Sequence, residues 1–378
     1  MIKLVNTFDK HRNEPERSLN DYTKSVRIEL GQQLKDQVKI YLDTKFWIHF
    51  REVTLNRNTN IGYIELLQLL RDGVQQKKLL CPISEEIIGE ILLQTNSQNL
   101  EASAKLIDEL SEGVSICSSR EREQYEILNF IYKYYLLEEA IQPIHEQEVF
   151  VWSKIPFAFN LPHPYINQIP PDEELVIQKS FFDQMWTISF SEMIEVMGHE
   201  NILSWPRERD ISDKLTHGKF EHMKENQSFK QLHLNEIAGA LDIYKPLFED
   251  AISYLFENKY KQKPNIEEVK NAESGQKIAN LVYHLFDKNK LGTYLPSLVI
   301  EAGLHAMVRY DKERKFKKND MPDFRHAKTA LSYFDLFLTE NSLCHLVKTG
   351  KLSFDKKYNC SVYLDPKETI KHIKTIIN

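Results

Sequence analysis

The chain has 378 residues, 42% of them apolar and 28% charged, with a net charge of −6 at pH 7. That apolar share supports a sizeable core in one large or two ordinary domains, and the acidic balance argues against a basic, nucleic-acid-binding coat over the whole surface. No run approaches the roughly 20 apolar residues of a membrane span, residues 1–16 lack the apolar centre of a signal peptide, and Cys81, Cys117, Cys344 and Cys360 form no C-x-x-C pair. A cytoplasmic protein with buried free thiols and no membrane partner is expected.

Residues 1–20 read as a flexible arm and 21–35 as a helix, together an N-terminal region of 1–36. Val38-Lys39-Ile40-Tyr41-Leu42 reads as a buried strand that stops at Asp43. Apolar spacing predicts a helix at 61–76 and a second strand at 78–83. Ser84 then offers an N-cap, and Glu85 and Glu86 fall where negative charge suits the helix dipole. A helix at 100–110, a strand at 114–117 and a long helix at 119–139 follow. This alternation predicts a mainly parallel sheet. From 143 to 172 the chain is loop-like and rich in proline, and 174–288 is helical in period apart from a polar gap near 203–229. Alternation then resumes. Helices reach Tyr310 and span 322–334, strands fall at 335–339 and 360–364, one helix starts at Asn341, and another runs from Pro366 to Ile377. The expectation is an α/β core in two halves, 37–142 and 292–378, separated by a large, mostly helical insertion at 143–291.

Acids recur at the junctions of these elements. Asp43 follows the first strand and Glu340 follows the strand Leu336-Phe337-Leu338-Thr339, so parallel neighbours would bring both to one rim. Ligands of open α/β sheets bind outside the carboxyl ends of strands. Glu86 and Glu90 are four apart on one helix face. Asp320 and Asp323 open another helix, with His326 three residues on. Taken singly, each acid could be a helix cap or part of a solvated face; the ordered combination is what points to chemistry.

That combination resembles the motif set of PIN-domain nucleases. Ile40-Tyr41-Leu42-Asp43-Thr44 is similar to the opening strand–Asp–Thr motif of that family, Ile87-Ile88-Gly89-Glu90-Ile91-Leu92 to the second, Asp323 through Leu331 to the third, and Phe337-Leu338-Thr339-Glu340-Asn341 to the fourth. The likeness covers about 37–142 and 292–378, with Lys45 where Asn is frequent and Glu340 where Asp is usual. It implies a PIN-like three-layer core and metal-dependent hydrolysis of RNA by an endonuclease.

Clustered carboxylates would serve such chemistry by holding Mg²⁺ or Mn²⁺, hard cations that take oxygen ligands. Asp43, Glu90 and Asp323 are the expected catalytic metal ligands. Glu340 would bind directly or through water, with Asp320, Glu86 and Asp335 in reserve, and Thr44 and Thr339 would orient. Acids packed this closely repel, so raised pKa values are expected. Arg309, Lys312, Arg314, Lys315, Lys317 and Lys318 form a basic run before Asp323, interleaved with Tyr310 and Phe316. Charge that tracks a backbone and rings that stack on bases suit single-stranded nucleic acid, and Thr44 and His326 join these as substrate contacts. The expected partner is RNA rather than DNA, and the insertion offers a face for a second copy or a regulatory protein. The alternatives are a DNA-directed nuclease, a PIN-like binding or assembly module that does not cleave, and a helical interaction protein in which the acids only cap.

Overall fold

Ile40, Tyr41 and Leu42 point alternately to the two faces of their strand, and all three are at most 1% exposed. Both faces are therefore covered, as in the centre of a parallel sheet. The computed structural model describes residues 4–134, 147–159, 161–166, 169–198, 200–201, 209–222, 228–265 and 273–377. In it β1 (Val38–Leu42) belongs to a four-stranded parallel sheet of order β2-β1-β5-β6, with β2 at Leu79–Leu80, β5 at Leu336–Leu338 and β6 at Ser361–Tyr363. Ile40, Tyr41 and Leu42 pair in register with Leu336, Phe337 and Leu338, so β1 and β5 end side by side.

The strand expected at 78–83 pairs continuously only at Leu79–Leu80, because Pro82 has no N–H to give the ladder. Ile83 makes a single parallel bridge to Ser115 of β3 (Val114–Ile116). The strands thus follow the order β3, β2, β1, β5, β6. The chain builds outward from β1 in one direction, then crosses to its other side. Such a reversal leaves a crevice at the carboxyl ends of the two strands flanking it, here β1 and β5.

Two regions differ from expectation. The N-terminal arm is ordered: a helix at Phe8–Arg12 packs against the helix Pro171–Thr187. His11 is fully buried there, its Nε2 2.8 Å from Asp183 Oδ2, and Lys179 Nζ donates to the Glu14 carbonyl at 3.1 Å. Their partners lie more than 160 residues away, beyond reach of local pattern. The region expected as helical insertion also supplies a strand, β4 (Trp152–Lys154), antiparallel to β3. Three residues carry too little periodicity to register.

The rest of that region is helical where described: Pro171–Thr187, Phe190–Met197, Ser212–Glu221, Phe229–Tyr260 and Ser274–Asp287. The helix Ser212–Glu221 lies in the expected polar gap, part of which (202–208 and 223–227) is outside the described residues, as are 135–139 of the helix that begins Ser119–Tyr134. In Phe229–Tyr260, buried Ile237, Leu241, Tyr244, Phe248 and Ala251 recur at alternating steps of four and three, the spacing of a helix–helix seam. That seam packs on Ser119–Tyr134, Ser274–Asp287 and Pro296–Tyr310. Pro246 sits on the exposed side, away from these contacts. Phe190, Ile237 and Phe248 share one continuous core with Ile40, Trp47 and Phe337.

Candidate active site at the β1–β5 edge

Asp43 is held where β1 ends. Its N–H donates to the Leu338 carbonyl at 3.0 Å, so it stays in the sheet while its side chain turns to cap the helix Thr44–Thr54 through Lys45 N at 3.4 Å. Thr339, the residue after β5 and 1% exposed, donates its hydroxyl to Asp43 Oδ2 at 2.8 Å. The Asp43 carboxylate, 7% exposed, is thus aimed from the strand edge by its neighbour strand. Glu340 follows at the N-cap of Asn341–Lys348, yet its side chain makes no capping bond.

Asp323 comes to the same crevice from the first turn of Asp320–Tyr333. Partial burial, followed by the charges of Glu340 and Asp43, pushes its carboxyl up to about 7 from an ordinary 3.8. Among the described residues no Lys, Arg or His forms an ion pair with Asp43, Asp323 or Glu340. Three carboxylates therefore share one edge with no ion pair of their own, and the nearby charge of His326 offsets only part of the effect of burial and repulsion on Asp323.

Glu90 is differently placed. It lies on the helix Glu85–Leu92, where Thr44 Oγ1 donates to Oε2 and His326 Nε2 stands 3.2 Å from Oε1. Burial would raise its pKa, but the His326 hydrogen bond and charge outweigh it and hold Glu90 ionised. His326 is lifted above its ordinary range for the reciprocal reason: burial opposes the charge, and Glu90 with Asp43 overcomes it. On its other side His326 Nδ1 is 2.7 Å from the Tyr41 hydroxyl, which is 2.9 Å from Ser84 Oγ. A protonated His326 can donate through both nitrogens, leaving Tyr41 to donate to Ser84.

Several sequence-selected residues lie elsewhere. Asp335 precedes β5 and accepts from Lys39 N at 2.7 Å, so it sits at the amino edge of the sheet, opposite Asp43, and cannot be a reserve ligand. Both oxygens of Asp320 are engaged, with Arg314 at 2.8 Å and Lys317 N at 2.9 Å, to pin the preceding loop. Glu86 is buried, its Oε1 accepting from Arg122 Nη2 and Thr329 Oγ1, each at 3.2 Å. His326 is 1% exposed and so serves Glu90, not substrate.

The basic run divides as well. Arg309 pairs with Glu236 and Arg314 with Asp320, whereas Lys312, Lys315, Lys317 and Lys318 are exposed. Phe316 is 5% exposed and packs on His305, so it is core and not a stacking platform; Tyr310 is 37% exposed, with Lys351 Nζ 4.6 Å over its ring and Phe229 edge-on to it. Ser84 caps its helix as the sequence suggests, but its bond to Tyr41, and the parts played by Tyr41 and Arg122, escape sequence inspection. A tyrosine inside an apolar strand and an arginine inside a helix look like filler and surface, and only the fold makes them buried partners.

No group of three or more His, Cys, Asp or Glu side chains among the described residues is arranged to hold a metal ion. The donor chemistry nonetheless suits a hard cation. Asp43, Asp323 and Glu340 offer only oxygens, and a divalent charge would counter the burial and the repulsion that together push the Asp323 carboxyl up to about 7. No helix among the described residues is long and apolar enough to cross a membrane. No family model, curated protein or solved structure matches the chain.

Proposed function

We propose that the protein is a divalent-metal-dependent, PIN-like endonuclease acting on single-stranded RNA. The observation that carries this is the meeting of Asp43, Glu340 and Asp323, none of them in an ion pair among the described residues, at the switch point between β1 and β5. Asp43 and Asp323, with Glu340, would hold Mg²⁺ or Mn²⁺. The bound cation supplies an activated water and neutralises charge on the phosphate. Thr339 orients Asp43, and the His326–Tyr41–Ser84 chain holds Glu90 ionised beside the edge. Exposed Lys312, Lys315, Lys317 and Lys318 attract the phosphate backbone. RNA is the substrate that the resemblance to PIN-domain nucleases implies.

One observation favours a second possibility. Glu90 is clasped by Thr44 and His326, which suits a PIN-like module that binds nucleic acid without cutting it. Cleavage of labelled single-stranded RNA and DNA with Mg²⁺ or Mn²⁺ separates the two. The nuclease should cut RNA, and Asp43→Asn should lower the rate by at least about 100-fold, above the loss typical of a supporting residue at a metal site. Asn keeps an oxygen for Thr339, so the fold should survive. Binding without cleavage under either metal would favour the module.

A further inference from the structure

A second cavity lies apart from the β1–β5 edge, between the helices Leu19–Gln33 and Ser119–Tyr134 and the segment carrying Phe157 and His163. It encloses about 350 Å³, within the range of small-molecule sites and far beyond the space one or two waters need. Its inner wall is aromatic. Phe150, Phe157 and Phe182 are at most 3% exposed, and the rings of Phe157 and Phe182 lie 4.9 Å apart.

Its polar wall is cationic. Arg27 and Lys24 line it against one carboxylate, Glu121, which is 2.9 Å from Arg27 Nη1. Lys24 Nζ donates to the Tyr254 hydroxyl at 3.0 Å and not to an acid. Two lining side chains also have buried nitrogens without hydrogen-bond partners, Arg27 Nε and His163 Nδ1. A buried donor left unpaired is costly; Arg27 Nε is one, and His163 Nδ1 is a second in the Nδ1–H tautomer, so the pair points to a group that accepts from both.

We propose that this cavity binds a small planar aromatic anion. Its acidic group would accept from Arg27 Nε and from His163 as the Nδ1–H tautomer, with its ring against Phe157 and Phe182. Two cations set against one carboxylate leave room for about one negative charge. The nuclease assignment is not needed for this, because none of these residues touches the β1–β5 edge.

Titration of the full chain with adenosine 5′-monophosphate, indole-3-acetate and inorganic phosphate, followed by calorimetry, tests it. At least one ring-bearing anion should bind saturably and at least tenfold more tightly than phosphate. Whichever binds identifies a phosphate or a carboxylate as the preferred acid. Thr23→Trp should abolish binding by filling the cavity; the Thr23 hydroxyl bonds only to the Asn20 carbonyl of its own helix, so the melting temperature should hold. Arg27→Gln should weaken binding at least tenfold, and Asp43→Asn should leave it intact. The proposal is overturned if neither ring-bearing anion binds at millimolar concentration, if phosphate binds equally well, or if Thr23→Trp binds like the parent.

Discussion

Two groups of acids, linked through His326, which feels both Asp43 and Glu86, differ in how they are satisfied. Beneath the helix Glu85–Leu92, every acid has a partner. Arg122, 1% exposed, pairs with Glu86 and reaches the Cys117 carbonyl, and Lys328 bridges Glu123 at 3.0 Å and Glu301 at 2.9 Å. Glu126 takes the Ser297 N–H at 3.0 Å and the hydroxyls of Ser297 and Tyr333, and burial pushes its carboxyl up to about 7. At the β1–β5 edge, Asp43, Asp323 and Glu340 share a crevice in which, among the described residues, none of the three has an ion pair, and the charge of His326 acts on Asp43 and Asp323 only from the side. Acids that only hold a fold are satisfied inside the chain, by cations at Glu86, Glu123 and Glu301 and by hydrogen-bond donors at Glu126. Acids that meet at a sheet edge without ion pairs are the ones we propose a bound cation would compensate.

The sharpest way to break this contrast is to remove a compensating cation. Arg122→Leu should destabilise the fold by about 3–5 kcal/mol, because it leaves Glu86 buried and uncompensated; urea unfolding would measure it. An edge substitution such as Asp323→Asn should not destabilise at neutral pH. If Arg122→Leu costs no more than an exposed ion pair, the buried network is not structural and the distinction fails.

A smaller effect carries a defined sign. Asp323 ionises near 7 when folded and near 3.8 when unfolded, so between those values the folded chain keeps a proton that the unfolded chain has lost. The stability tied to that proton is complete below pH 4 and disappears as pH rises through 7. Allowing for partial exposure and solvent screening, about 1–2 kcal/mol should vanish between pH 4 and 8. Asp323→Asn should remove that slope, while the slope due to buried Glu126 stays in both proteins. Urea midpoints of parent and variant at pH 5 and 8 give the difference directly.

The smallest expected effect concerns the exposed lysines. Replacing Lys312, Lys315, Lys317 and Lys318 by Ser should weaken RNA binding mainly at low salt, reducing the slope of log affinity against log salt by about 1–3. Arg309 and Arg314, already paired within the chain, should contribute far less to that slope.

What could be read from the sequence was local. The strand Val38–Leu42 and the closing helix Pro366–Ile377 fall where pattern and proline place them, and acids directly after β1 and β5 had to share a rim once those strands were parallel. The position of Asp335 was equally accessible: the residue before a parallel strand lies at the opposite edge from the residue after it. Partnership was not accessible. The cations that occupy Asp320 and Glu86 come from Arg314 in a loop and from Arg122, 36 residues away along the chain. The burial of Phe316 and His326 likewise depends on helices brought together only by the fold.

The proposed metal site of Asp43, Asp323 and Glu340 at the β1–β5 edge is tested by Mn²⁺ titration of the parent and of Asp323→Asn at pH 6 and pH 8. The parent should bind Mn²⁺ more tightly at pH 8, releasing a proton at pH 6 as Asp323 ionises, and at 100 times the dissociation constant it should gain about 2.7 kcal/mol of stability. Asp323→Asn should bind more weakly, with little dependence on pH. Mn²⁺ binding that is absent, or that is equal in both proteins at both pH values, would contradict the account.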